Sequence, residues 1–478
     1  MKRISRFVAL AIFAFELSVR GQTPTTAQNV PIICHYDLNI TLQPVESSYR
    51  AEARIKLMNL TTQPIAQVPV LLYRLVRLTK VVDPNGKPLQ FRQELTTMSD
   101  EPEWQVNSVL VRLSTPLAPN HTAEMTLYYG GSIWGYREVM RYVQDQIGEE
   151  YALLRAETMA YPIVAQASTP GWISAQREPF TYRIRTTVPN SWIVACGDSH
   201  RSKTVSGEQT IFECDSDVPR EHIEVAAAKF RVIEDAGAGL RIYALPQDAQ
   251  AAQRVLGDLK RARIFFGNYF RRPATGGYTV IEIPEGWGSQ ASAGYCIQTP
   301  DAFRDPAEIA QLYHELAHSW NAEAQGKIQR ARYFDEAFAS YFAALAIRQF
   351  SGADAFASEM ERLRLRFISL AKRDKRYITV PISNWGESEL GDASYTKGAW
   401  SLYVLNRLLG DDGFRNAISD FVNSYSTNPA DFSSFQQQLQ RSTGHTLKRF
   451  FARWIYGSDS SEELIQGKSI EDMVAAAK

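Results

Sequence analysis

The sequence predicts a multidomain fold, an antiparallel β domain followed by an α+β domain that is mainly helical, on three observations. Apolar residues alternate at period two through much of the stretch from 35 to 235. The period lengthens to that of helices after about residue 246. A chain of 478 residues, 45% of them hydrophobic, also exceeds one ordinary core.

Taken in order, Met1 to Arg6 carries three basic side chains ahead of an apolar run from Phe7 to Val19, interrupted by Glu16 and Ser18. That is the layout of a signal peptide, expected over 1–22, and the run is shorter than the roughly 20 residues a bilayer requires. The expectation is an exported protein, periplasmic or extracellular, with no stable membrane insertion once the signal is removed. Strands are expected at Tyr36–Leu42, Tyr49–Leu57, Val68–Tyr73, Ser108–Leu113, Glu124–Tyr129 and Thr181–Val188. Pro, Gly, Asn and Asp punctuate them, which favours antiparallel pairing over crossover helices and defines a first domain over 30–236. Asn39, Asn59 and Asn120 each open an Asn-x-Thr triplet, the acceptor pattern for glycosylation.

The second domain is expected over 237–456, leaving 457–478 as a C-terminal tail. A helix from Gln247 to Tyr269 leads to a strand at Tyr278–Ile283, a Gly-rich turn at Glu285–Ser292, and a returning edge strand at Gly294–Ile297. Pro306 to Phe350 reads as helix with a break near Gly326, and five more helical stretches follow before residue 455.

Fifty-two basic residues balance fifty-two acidic ones, so no global field collects nucleic acid or an anionic surface. The densest basic stretch, Arg362 to Arg376, alternates with Leu, Phe and Ile at helical spacing and reads as a solvated face. Of four cysteines, Cys196 and Cys214 flank a polar, turn-like segment and are the expected disulfide pair in an oxidising compartment.

The chemistry concentrates in His314-Glu315-Leu316-Ala317-His318. On a helix the two imidazoles, four residues apart, point at one cation, and Glu315 reaches a water held on it. Three protein ligands and an open position are what hydrolytic zinc needs. The third ligand is expected at Glu336, a carboxylate on an apolar helix, where an unpaired charge is costly. Asp335, its neighbour, is the alternative ligand, or the acceptor that orients a ligand histidine.

These residues resemble the gluzincin metallopeptidases, above all the M1 family of aminopeptidases and leukotriene A4 hydrolase. That family's His-Glu-Leu-Ala-His helix, with Trp two residues on, is matched by His314 to His318 and Trp320. Its Asn-Glu-Gly-Phe-Ala segment is matched by Asp335 to Ala339. Seventeen residues lie between His318 and Glu336, one fewer than is usual in the family. Tyr395-Thr396-Lys397-Gly398-Ala399 is similar to the family's Tyr-x-Lys-Gly-Ala, whose tyrosine donates to the oxyanion. The wording around His318 and Trp320 is also similar to the glycyl aminopeptidases.

The resemblance implies a saddle-like β domain, a thermolysin-like catalytic domain, one Zn2+ per chain, and peptide or protein substrates. Glu315 is then the general base and Tyr395 the oxyanion donor. In one segment the family pattern fails. Where it places a substrate-binding Gly-x-Met-Glu-Asn on an edge strand, this chain has Gly288-Ser289-Gln290-Ala291-Ser292-Ala293-Gly294. Ala291 stands at the position of the Glu that anchors the substrate's amine, and an ammonium pressed against a neutral strand gains only dipolar partners. The expected activity is M1-like aminopeptidase action with weak preference for free amino termini. The alternatives are an endopeptidase or other peptidase that requires no free amino terminus, and a weakly active or noncatalytic peptide-binding protein that retains the metal site.

Overall fold

The computed structural model describes residues 30–197, 200–216 and 218–478. The expected signal peptide lies outside the described residues. Among the described residues no helix is long and apolar enough to cross a membrane.

Two compact units share the chain, each assembled from separate stretches of it. Of the described residues, the first comprises those from 30 to 234 with 241–249 and 278–300; the second comprises 235–240, 250–277 and 301–478. The strands around 278–300, expected from sequence in the catalytic domain, thus pack with the first unit.

In the first unit, Ile32–Gln43 and Ser48–Met58 form an antiparallel hairpin in which Leu38, Ile40 and Leu42 pair with Ala53, Ala51 and Tyr49. Those side chains are buried while Asn39 and Arg50 between them are exposed, so alternation fixes the register. Thr181–Pro189 joins the hairpin in the one parallel pairing of this seven-stranded sheet, and the other pairings are antiparallel. Separate three-stranded sheets contain Ile65–Tyr73 and Val225–Ala228. Of the Asn-x-Thr triplets, Asn59 is fully buried and its amide donates to Gln63 O and Leu117 O, so it serves the fold rather than a glycan.

A five-stranded sheet completes this unit, with Tyr295–Gln298 parallel to Tyr278–Glu282 on one side and antiparallel to Gln290–Ser292 on the other. The expected edge strand and turn are therefore exchanged. Tyr295, Cys296 and Ile297 are buried and lie inside the sheet, while Gln290–Ser292 is half-buried and forms its edge. Gly288 is required just before that edge, because a Cβ there would stand 2.6 Å from the Tyr142 ring.

The second unit is helical. Ala249–Tyr269, Ala310–Ala317, Phe338–Ser351, Ala353–Arg373 and Ala399–Leu409 surround an aromatic core in which Phe334, Phe338, Phe421 and Phe435 are fully buried. The break expected at Gly326 falls just before it, where 321–325 leaves the helical path and Gly326 opens the next helix. Two single π-helical turns, Tyr333–Ala337 and Ser394–Gly398, meet at close range, and a Cβ on Gly398 would stand 2.7 Å from that of Ala337. The expected tail carries two helices, Asp459–Gln466 and Ile470–Ala477. The first is held by the fully buried Lys397, whose ammonium donates to Ser461 Oγ at 2.8 Å.

Cys214 is disulfide-bonded, and Cys34 and Cys296 stand outside any disulfide. The Cys196 side chain, the other half of the expected pair, lies outside the described ones.

Candidate metal centre and substrate strand

The helix Ala310–Ala317 ends as it passes from Glu315 to His318, where a 3-10 turn, His318–Trp320, takes over. Trp320 anchors that turn by donating from Nε1 to Arg272 O at 2.9 Å. The imidazoles of His314 and His318 stand edge to face, 4.8 Å between centroids. Glu336 comes from the first π turn, where its backbone N–H donates to Arg332 O at 2.8 Å. Single π turns recur at functional sites because they re-aim one or two side chains within a helix.

His314, His318 and Glu336 each offer one ligand atom, all within 4.8 Å of one another. Glu336 Oε2 lies 3.0 Å from His314 Nε2 and 3.6 Å from His318 Nε2. The opposite ring nitrogens are engaged elsewhere: His318 Nδ1 lies 2.6 Å from Asp335 Oδ1 and His314 Nδ1 is 3.4 Å from Ser340 Oγ. Orientation of a ligand imidazole by a carboxylate on its far nitrogen is the usual arrangement in metal sites. Asp335 therefore occupies the orienting place and Glu336 the inward one.

The field of the pocket suits a cation. Burial works against a charged His318, yet the Asp335 carboxylate, with Glu336 and Glu315, outweighs it and lifts the imidazole to about 9. Burial would also raise Glu336, but Arg332 and the two histidines hold it well below the usual carboxylate range. Two imidazoles and one carboxylate are a donor set that a divalent ion takes in hydrolytic sites, His318 giving up its proton as the ion binds.

Glu315 is buried beside the two histidines, and its Oε1 accepts from the Gln311 amide. Burial pushes its carboxyl up from the ordinary value, with His314 and His318 opposing. Tyr395 lies on the second π turn and stacks on His314, ring centroids 5.7 Å apart at 17°. Burial holds its hydroxyl protonated well above the usual phenol range, against the pull of Arg332, so it is a hydrogen-bond donor at neutral pH. His314, Glu315, His318, Asp335, Glu336 and Tyr395 all belong to the second unit.

Residues 301–454 match the model of the peptidase family M1 domain. This segment is a peptidase family M1 domain. Over 467 aligned residues the chain is 24% identical to a glutamyl aminopeptidase from Bitis rhinoceros, covering 88% of this chain and 46% of that protein. It is 27% identical to probable aminopeptidase 2 from Sulfurisphaera tokodaii over 153 residues, 30% of this chain and 19% of that one. The chain thus spans less than half the length of these curated relatives. An M1 zinc metallopeptidase from Deinococcus radiodurans, solved as a mutant with a Tyr-Ser-Ala substrate, superposes with a TM-score of 0.60 at 16% identity, over 94% of this chain and 96% of that one. That likeness establishes the fold, a β-sheet domain followed by a helical one on which the M1 domain's histidine helix sits.

The first unit holds the stretch that the sequence marks as the substrate strand. Ala291 lies mid-strand in Gln290–Ser292, paired with Cys296. Ser289 Oγ accepts from the Thr299 N–H at 3.1 Å, Arg155 Nη1 donates to Gly288 O at 3.3 Å, and Arg220 donates to Ala293 O at 2.8 Å. Gly294 turns the chain at φ 87°. An acidic residue that sequence reading passed over stands against this strand. Glu157 accepts from the Gln290 side chain at 2.9 Å through Oε1, while its Oε2 is buried without a hydrogen-bond partner, 4.0 Å from Arg155 Nε. Its signal was present: Arg155 and Glu157 directly follow an apolar run, Tyr151–Leu154, that is buried at every position.

Proposed function

We propose that this chain is a zinc-dependent peptidase that releases residues from free amino termini, with His314, His318 and Glu336 holding the metal. The observation that carries the hydrolytic reading is the convergence of those three side chains beside Glu315 and Tyr395 in one M1 domain. A zinc ion bound there supplies a Lewis acid for the attacking water and the scissile carbonyl.

The chain's own groups do the rest. Glu315 accepts a proton from the attacking water and passes it to the leaving nitrogen, a task helped by a carboxyl lifted by burial. Tyr395 donates its phenolic hydrogen to the substrate oxygen that gains negative charge. Asp335 keeps His318 oriented throughout.

The aminopeptidase reading rests on Glu157. Arg155 meets Asp145 at 2.7 Å and Glu157 only at 4.0 Å, so Glu157 is the less compensated carboxylate of the two for an incoming ammonium at the Gln290 strand. This supplies the countercharge that Ala291 lacks. The endopeptidase alternative draws on that same strand, whose Gln290, Ala291 and Ser292 are neutral. A comparison of kcat/KM on matched peptides with free and acetylated amino termini separates the two. We expect a preference for the free terminus of at least about tenfold, or about 1.4 kcal/mol. Equal cleavage of both peptides by zinc-loaded protein would assign the endopeptidase role.

A further inference from the structure

Arg332 occupies a backbone conformation that arginine seldom takes. It sits in the left-handed region, φ 58° and ψ 26°, where it ends the helix Gly326–Ala331 and opens the π turn carrying Glu336. Glycine meets that geometry without steric conflict between Cβ and the carbonyl, and a large side chain held there points to a use for the side chain.

The guanidinium reaches three groups at once. Nη2 pairs with Glu336 Oε1, lies 3.9 Å from Asp335 Oδ2, and the guanidinium carbon is 5.4 Å from the centre of the Tyr395 ring. Its aliphatic stem passes Gly391, where a Cβ would stand 3.5 Å from Arg332 Cδ, just ahead of the turn that carries Tyr395. A carboxylate has two oxygens of equal basicity and can chelate a cation through both. Here the outer oxygen is engaged by arginine, and Oε2 alone faces His314 and His318.

We propose that Arg332 is a positioning residue for both halves of the centre, restricting Glu336 to one-oxygen coordination and holding the Tyr395 ring over the same site. Nothing in the Asp335–Ala339 motif calls for an arginine here. The inference rests on the zinc-peptidase reading and concerns how the ligand is aimed rather than which residues are ligands.

The test uses the full chain with Arg332→Gly, Arg332→Met and Arg332→Lys. Arg332→Gly relieves the backbone while removing the guanidinium, so a merely structural role predicts unchanged or improved folding and an unchanged metal site. Our expectation for Arg332→Gly and Arg332→Met is a Tm no lower than the parent's in the glycine variant and a zinc dissociation constant, from chelator competition, raised about 10- to 100-fold in both. The visible spectrum of the cobalt-substituted protein should change as Glu336 gains a second coordinating oxygen. kcat should fall by about tenfold or more with KM within about threefold, the signature of an interaction made in the transition state. Arg332→Lys, which keeps a single charged donor, should recover part of the zinc affinity. Variants matching the parent in zinc affinity and cobalt spectrum, with a parent that binds zinc and cuts peptides, overturn this inference alone. A parent that takes up no zinc overturns the peptidase reading and this one with it.

Discussion

Each unit contains an arginine set among carboxylates, and the two are built differently. In the first unit, Arg155 and Asp145 are fully buried and doubly bonded, Nη2 to Oδ1 at 2.7 Å and Nε to Oδ2 at 2.8 Å, with Thr158 and two backbone carbonyls completing the shell. Arg155 is committed to Asp145, and Glu157 stands beside the pair with one oxygen to spare. In the second unit Arg332 is partly exposed and committed to Glu336, the residue that itself faces the histidines. The lesson is that an arginine beside a carboxylate does not decide that carboxylate's role. What differs is which oxygen the arginine leaves over: Glu157 Oε2 in the first unit, and Glu336 Oε2, which faces the histidines, in the second.

The comparison breaks most readily at the metal end. Glu336→Ala removes the carboxylate that Arg332 aims, and the purified protein should drop from about one zinc per chain to none, with peptide hydrolysis lost. Glu315→Gln should keep the zinc yet lose about 10²- to 10⁴-fold in kcat, since it removes only the proton acceptor. Elemental analysis beside single-turnover rates reads both. Zinc retained in Glu336→Ala and lost in Asp335→Ala would move the ligand by one place.

The first-unit cluster sets a smaller effect. Glu157→Gln preserves shape while removing the spare charge, so the ratio of kcat/KM for free over acetylated termini should fall by about tenfold or more, the charge-assisted bond contributing about 1.5–3 kcal/mol. Zinc content and cleavage of the acetylated peptide should hold. An unchanged ratio would mean that the spare oxygen of Glu157 does not meet the amine.

The smallest effect concerns a cation with no carboxylate bonded to it. Burial pushes the Lys397 ammonium down from 10.5 to about 7, with Asp459 in weak opposition. Between those values the unfolded chain holds a proton that the folded chain has released, so stability rises with pH across this window and is lost as pH falls toward 7. Lys397→Met should flatten that slope and raise Tm at pH 7, by roughly 2–4 °C per kcal/mol of penalty removed. Melting curves from pH 7 to 10 check it, and parallel slopes for parent and variant would show that Lys397 stays charged in the fold.

Much of this was legible in the sequence because it is local. The i, i+4 spacing of His314 and His318 is a property of one helix, and the helices from Phe338 to Trp454 follow their apolar periods to within a few residues. The hairpin of Ile32–Gln43 and Ser48–Met58 declared itself by alternation. Phe91–Thr97 did not, since none of its residues is fully buried and no apolar face exists to read. The sequence puts Gly294–Ile297 at the sheet edge because four apolar or small residues in a row say nothing about which side receives a partner. Glu157 and Gln290 are 133 positions apart, and no periodicity within either segment reports their meeting. Arg332 was visible four residues before Glu336, yet the left-handed turn that brings it back onto that carboxylate follows from packing in the finished domain.

The near contact of Gly398 with Ala337 makes the two π turns mechanically a single part. Close-packed atoms resist compression, so a displacement of one turn is transmitted to the other rather than absorbed between them. Glu336 and Tyr395, one on each turn, are thus mounted on one bracket, and the distance between them is set by that contact.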